Sequence, residues 1–438
     1  MWGLRQVVAT EGLSTRYGKA LLRRHRPDYQ LILYAGILLA IGLIVLYAIS
    51  PARVELMNLA GSKLNQAYFM QKQLLYLLIG IGAFIAAVWL PLKTWTRLAV
   101  PVLLVGLGLS LLLAVFGLFK VPLALEAGGA VRWFNLGIIS FQPAEILKFG
   151  LLLYVAVFLG DRIANKTVNS FSETMLPLGM LLGLTMLFIV VLQKDMGTGI
   201  GLIGIVLTML YVAGMSFRNF LLTISMLLGI GLLLVATSPH RVERVMTFFK
   251  PSAASDTAAG YHIAQAKIAI GSGGLIGKGL GQSVQAFGYL PEAVNDSIFA
   301  IMGEKFGFVG LVVILAVFFA LLLRLIKLID QTANPVWRLI VAGTFGWIAT
   351  HTVVNIGAMI GIFPLTGITL PFLSFGGTSL LFIMLALGIT FHISRYASHG
   401  LANTINSGQG GGQPYAGFGG GRRLRRARHA SGGGYQRA

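Results

Sequence analysis

Along this chain, long uninterrupted apolar runs alternate with short polar punctuation. Runs long enough to cross a hydrocarbon layer of about 30 Å as helices fall at 29–50, 73–91, 98–119, 143–160, 175–192, 196–214, 219–237, 305–327, 337–360 and 375–393. The pattern predicts ten spanning helices. Only Gln193-Lys194-Asp195 separates the fifth run from the sixth, so the count ranges from eight to eleven with the placing of such junctions. The first run follows a basic arm, and no small-residue cleavage pattern comes after it, so it is expected to be a retained span rather than a leader. One stretch between runs, 238–304, is too polar to cross. It still carries Ile263, Ala266 and Ile270 at helical spacing, which predicts an ordered cap lying on the membrane surface. From about Asn403 the chain is rich in glycine and arginine without aliphatic periodicity, the composition of a disordered tail.

Composition sharpens this picture. Of 438 residues, 56% are hydrophobic and only 11% charged, against about a quarter charged in soluble proteins. The fold class expected is an all-α polytopic membrane protein with one long extracytoplasmic loop. The absence of cysteine excludes disulfides, thiolate metal sites and cysteine nucleophiles. With the amino terminus cytoplasmic, 21 of the 34 Lys and Arg residues fall on inner segments, so both termini are placed inside. The expected division is a basic arm at 1–28, a membrane domain at 29–398 and a tail at 399–438. Much of the net charge of +20 sits in arm and tail, which suits anionic inner-leaflet lipids. Nucleic acid is disfavoured, because no folded recognition module accompanies the basic runs.

Ionisable side chains at membrane depth are costly unless paired or facing water, so the few present are informative. In 128–150, Pro143 suits the first turn of a helix that carries Glu145 and Lys148 on one face. They can pair with each other, as a plain structural ion pair, or with an outside group. Arg132 and Trp133 read most simply as an interfacial anchor, and Asp195 as a helix cap. The run GSGGLIGKGLG at 271–281 resembles a phosphate loop but fails as one. Ser272 stands where glycine is needed, and Gly279 where Ser or Thr is needed. What survives is a flexible backbone with Lys267 and Lys278 near a phosphorylated ligand. Glu292 and Asp296 lie four apart, on one face if helical; two acids beside an apolar wall suit acid–base work. Alternatively, Asp296 caps a helix beginning at Ser297. The stretch 355–379 is broken by Pro and Gly and carries Thr366, Thr369, Ser374 and Thr378 without charge, as a re-entrant segment lining a wet cavity would. All these polar segments fall on the outer side, an arrangement that fits a ligand with a polar head and a long apolar tail.

The motifs RWFNLG, SFQPAEILK, DMGT, AIGSGGLIGKGLG, YLPEA and TGITLPFLSFGGTS occur in this order. Through them the chain from Tyr29 to Ser398 resembles the SEDS family (shape, elongation, division and sporulation), bacterial membrane glycosyltransferases that polymerise lipid-linked cell-wall precursor. The resemblance implies peptidoglycan glycosyltransferase activity: lipid II joined into glycan strands at the outer face of the cytoplasmic membrane, with inversion and loss of undecaprenyl pyrophosphate. Asp296 falls on the family's essential acid, and Glu145 and Lys148 on the glutamate and lysine of its QPxExxK segment. Candidate substrate contacts are Arg132, Trp133, Gln142, Lys267, Lys278, Glu292, Thr366 and Ser374. A divalent cation, magnesium or manganese, stays open as a helper with no ligands assigned. Implied partners are a class B penicillin-binding transpeptidase and other divisome membrane proteins. Division-type members are resembled more than the rod-elongation type, which implies work at the septum. A lipid II flippase, or a rod-elongation polymerase, is the alternative reading. Two departures stand out: Lys194 where the family commonly has proline, and Val294 where division-type members often have histidine or a polar residue.

Overall fold

A computed structural model describes residues 26–397, apart from 128–129, 138 and most of 237–257. Most of the basic arm, the entire tail and the start of the long loop lie outside the described residues. Among the described residues the chain is chiefly helical: α1 Tyr29–Leu59, α2 Tyr68–Trp89, α3 Leu92–Leu118, α4 Pro143–Ala164, α5 Phe171–Leu192, α6 Met196–Val212, α7 Phe217–Ala236, α8 Ala258–Ser272, α9 Ile298–Gln331, α10 Pro335–Ile360 and α11 Gly377–Ser394. Eight of these are long and apolar enough to cross a membrane, and α6 and α7 are shorter apolar helices. Together they account for the ten apolar runs. The protein is a polytopic helical membrane protein, and the helical spacing in the long loop is met by α8, called the cap helix below, in which Ile263, Ala266 and Ala269 are buried and Ile270 is half-buried.

Local chemistry sets the helix ends. The Asp28 carboxylate accepts from Gln30 N at 3.1 Å to open α1. Asn334 accepts from Trp337 N at 3.1 Å ahead of Pro335 in α10. Gly361, at φ 83°, closes α10 in the left-handed region. Helices α4, α10 and α11 form the centre, with 78%, 67% and 83% of their most apolar stretches buried, against 28–33% in α1, α2, α3, α5 and α9. Lipid supplies no hydrophobic drive between helices, so close contact depends on small residues. A Cβ on Gly106 of α3 would lie 2.8 Å from Leu147 Cα, and one on Gly150 of α4 would lie 2.7 Å from Leu103 N. At the opposite end of the bundle from the cap, Asp28 pairs with Arg324. Its backbone N–H donates to Ser394 Oγ at 2.9 Å, so the start of α1 and the ends of α9 and α11 share one side.

Three features depart from the expectation. A small antiparallel sheet, β1 Ala124–Ala127, β2 Ala130–Asn135 and β3 Ser140–Phe141 in that order, interrupts the all-α reading. Val131, Trp133 and Phe134 favour extended backbone, and Phe134 is buried edge-on to Phe116 with ring centroids 6.0 Å apart. The helix assigned to 305–327 begins earlier, at Ile298, and breaks at Gly307, where φ is 65° and ψ −168°.

The third is the glycine-rich run, which packs closely against this break. The backbone N–H groups of Phe308 and Val309 donate to the carbonyls of Gly274 (2.9 Å) and Leu275 (3.0 Å). Lys278 N and Gly279 N donate to the carbonyls of Glu304 (2.9 Å) and Lys305 (3.0 Å). The loop thus satisfies backbone polar groups that the kink frees. Gly277, at φ 81°, has no room for a side chain: a Cβ there would lie 2.6 Å from Gly307 N.

Candidate functional site

At the cap end, four stretches distant in sequence meet around α10. Gln142 precedes α4, and its backbone N–H donates to Thr378 Oγ1 (3.3 Å) while its amide donates to Asp195 (3.2 Å). Asp195 caps α6, accepting from Thr198 N at 3.0 Å and Thr198 Oγ1 at 2.8 Å, as its position before a helix implied. The preceding Lys194 sits at φ 54°, a conformation closed to proline. The turn therefore takes a path that the residue common in the family would not permit. Arg132, on β2, donates to the Lys194 carbonyl at 2.8 Å and so braces that turn; the neighbouring Trp133 is half-buried.

One turn into α4, Glu145 and Lys148 form the ion pair that their spacing predicted, at 2.9 Å, with side chains 5% and 1% exposed. Lys148 also lies 3.4 Å from His351 Nε2 and 4.9 Å from the centre of the Trp347 ring. The imidazole Nδ1 lies 3.4 Å from the carbonyl of Thr369 in the re-entrant stretch. A carbonyl only accepts, so Nδ1 carries the proton and Nε2 offers its lone pair to the ammonium. Four residues further along α10, Asn355 Nδ2 donates at 2.7 Å both to the Asp296 carbonyl and to the Ile368 carbonyl. Phe375 N donates to the Val294 carbonyl at 2.9 Å. The loop that carries Asp296 and the re-entrant stretch are thereby fastened to α10, the helix whose His351 faces Lys148.

Asp296 is 8% exposed, and its Oδ2 lies 3.9 Å from where a Cβ on Gly367 would be. Its Oδ1 is 3.5 Å from the Ser297 hydroxyl. That hydroxyl donates to the Pro291 carbonyl (2.8 Å) and lies 2.5 Å from His262 Nε2 of the cap helix. The acid is thus held among the cap, the start of α9 and the re-entrant stretch, and its sequence neighbours Ala293, Val294 and Ile298 are buried.

Other nominated residues are placed differently. Residues 291–297 form turns rather than helix, so Glu292 and Asp296 share no helical face. Glu292, at φ 49°, is exposed and accepts from Asn295 Nδ2 at 2.5 Å. Nor does Asp296 cap a helix: α9 begins at Ile298, and Ser297 occupies the cap position without a side-chain capping bond to it. Lys278 pairs with the fully buried Glu304 at 3.2 Å, which fixes it to α9. Lys267 is exposed and close to Gly361, where a Cβ would meet its Nζ at 2.8 Å. The Ser374 hydroxyl accepts from Leu370 N at 2.8 Å and serves its own loop. The Thr366 hydroxyl is buried with no partner in the structure. Among the described residues no group of three or more His, Asp or Glu side chains is arranged to hold a metal ion.

Sequence reasoning passed over His262, His351, Asn355 and Glu304. The spacing of His351 and Asn355, polar and four apart in an otherwise apolar span, was the available signal.

Residues 29–399 match the family model described as "Cell cycle protein", FtsW/RodA/SpoVE. The stage V sporulation protein E of Bacillus subtilis (strain 168) is 33% identical over 383 residues, 86% of this chain and 99% of that protein. A probable peptidoglycan glycosyltransferase FtsW of Thiomicrospira cyclica is 35% identical over 374 residues, covering 84% of this chain and 91% of its own length. Among solved structures, one chain of a peptidoglycan synthase complex that coordinates polymerization and crosslinking superposes with TM-score 0.66 at 26% identity, over 84% of this chain and 98% of that one. The crystal structure of Thermus thermophilus RodA, a rod shape determining protein, gives 0.57 at 26% identity, over 84% and 97%. The fold and the site define a polytopic membrane protein of the SEDS type. The chain belongs to the FtsW/RodA/SpoVE family.

Proposed function

We propose that this chain is a peptidoglycan glycosyltransferase that joins lipid II molecules into glycan strands at the outer face of the bacterial cytoplasmic membrane, and that it serves septal wall synthesis. The observation that carries the reading is the placement of Asp296: a carboxylate almost withdrawn from water at the meeting point of cap, kinked helix and re-entrant stretch. Names borne by relatives, peptidoglycan glycosyltransferase FtsW among them, agree with this chemistry and with a division role.

A sugar hydroxyl is a poor nucleophile. In the proposed step its oxygen attacks the anomeric carbon of the donor and its proton passes to Asp296 as the new carbon–oxygen bond forms. The bond from the anomeric carbon to the phosphate oxygen breaks, undecaprenyl pyrophosphate leaves, and configuration at that carbon inverts. Negative charge on the leaving group calls for cations. Lys148 is fully buried and Lys278 is tied to Glu304, so the exposed Lys267 and the half-exposed Arg132 are the better placed to receive it. Glu145 and Lys148 then support the site from beneath, through α10.

The whole of 29–398 acts as one catalytic membrane domain in this account, with the basic arm and tail held against anionic inner-leaflet lipid. A class B penicillin-binding transpeptidase is the proposed partner, since the related chain in the solved synthase complex comes from an assembly that also crosslinks. The test uses purified protein in vesicles with fluorescent lipid II. Glycan chain growth without net movement of lipid II across the bilayer supports the polymerase; net movement without chain growth would replace it with a flippase.

A further inference from the structure

We infer that His351 is a positioning residue for the proposed polymerisation, a side chain that couples the buried Lys148 to the re-entrant stretch beside Asp296. This deepens the polymerase reading and rests on it.

His351 is 3% exposed, on a span whose other buried polar side chains are Thr344, Thr352 and Asn355. Such a buried group is expensive unless both of its nitrogens are used. Both are: Nε2 faces the Lys148 ammonium and Nδ1 faces the Thr369 carbonyl, each at 3.4 Å. The ring is also walled in. A Cβ on Gly201 of α6 would lie 2.8 Å from Nε2, and the indole of Trp347 packs one turn away with ring centroids 6.4 Å apart. The imidazole therefore has little freedom to turn, and it fixes two things at once.

The first is the ammonium. Glu145 accepts only one of its N–H bonds, through Oε1, and Glu145 Oε2 has no partner in the structure. Without Nε2 the ammonium would have one acceptor in an apolar surrounding and would shift toward the other carboxylate oxygen. The second is the backbone at Thr369, two residues beyond Gly367, which flanks the Asp296 carboxylate. Asn355, on the same side of α10, secures the Asp296 and Ile368 carbonyls. His351 and Asn355 are thus two rungs of one ladder, and the lower rung ends on the lysine. Removing the lower rung leaves Asp296 in place but loosens the wall against which the reacting sugar must be aligned. Loss of alignment of about 1 Å lowers turnover more than it lowers affinity.

The experiment compares steady-state lipid II polymerisation by the full chain in vesicles, with and without the transpeptidase, for wild type, His351→Gln, His351→Leu and His351→Asn. Glutamine can offer an oxygen to Lys148 and an N–H to Thr369. Leucine fills the space with neither, and asparagine is too short to span both. The expected result is kcat within about threefold of wild type for Gln, and a fall of about tenfold or more for Leu and Asn with KM little changed. Should the Leu variant fail to fold, the Gln and Asn pair decides. The inference is overturned if Asn or folded Leu keeps wild-type kcat, if their loss lies in KM alone, or if Gln is as deficient as Asn. Wild-type protein inactive under both conditions would overturn the polymerase reading instead.

Discussion

Removing the Glu304 carboxylate should release the glycine-rich loop from the kinked helix. Glu304 is fully buried and gathers four donors: Ser283 Oγ at 2.5 Å, Val284 N at 3.0 Å, Gln285 N at 3.2 Å and Lys278 Nζ at 3.2 Å. In Glu304→Ala the lysine, a third exposed, can turn to water and the serine hydroxyl can rotate. The buried Gln285 N–H has no such recourse, that of the exposed Val284 has some, and a buried donor left unmet costs about 1–3 kcal/mol. With the lost charge pairing, the sum comes to about 3–5 kcal/mol, the usual range when one side of a buried ionic contact is deleted. Most of that cost should appear as local opening of 273–288 rather than global unfolding, because the loop's other anchors to α9, backbone bonds at its start and the Lys305 bond to the Leu280 carbonyl, lie before Ser283. Hydrogen exchange at the Val284 and Gln285 amides should then accelerate by about two to three orders of magnitude. Glu304→Gln keeps a neutral acceptor and should show a smaller increase. Exchange within about threefold of wild type in the Ala variant would refute the reasoning, since the carboxylate would not then be what holds the loop.

Two glycines of the same loop should respond oppositely to alanine: Gly277 has φ 81° and backbone atoms of Lys305 and Gly307 within 2.6 Å of a Cβ, whereas Gly281 has open space. Gly277→Ala should lower the melting temperature clearly, while Gly281→Ala stays within about 0.5 kcal/mol of wild type. Asp195→Ala removes the α6 cap and the Gln142 contact, and should cost about 1–2 kcal/mol in thermal or denaturant unfolding. Deleting the chain after Asn403 removes six arginines. Binding to anionic vesicles should weaken by about 1 kcal/mol for each basic residue that reaches the surface, while polymerisation in detergent is unchanged.

The spans were legible because lipid-facing and core-facing helices are apolar almost all round, so run length alone reveals them. The cap helix was legible from Ile263, Ala266 and Ile270. The sheet around Arg132 and Trp133 was not, since its strands are too short for alternation to stand out from the apolar background. At the site, the Glu145–Lys148 pair could be read because its members are three apart. The partner of Lys278 is 26 residues away, and His351 lies 203 residues from Lys148; spacing says nothing about such contacts. Glu292 shows a different limit. Its four-residue offset from Asp296 implied a shared face only if the backbone were helical; the segment forms turns with a left-handed φ at Glu292, which is exposed while Asp296 is buried.

The central claim is that Asp296 takes the proton of the attacking hydroxyl. Its most direct test is Asp296→Asn, which preserves size and, by circular dichroism and melting temperature, should preserve the fold. In the vesicle assay the variant should still bind lipid II but lengthen glycan chains at least about a hundredfold more slowly than wild type. Glycan strands formed at near wild-type rate by that variant would contradict the account.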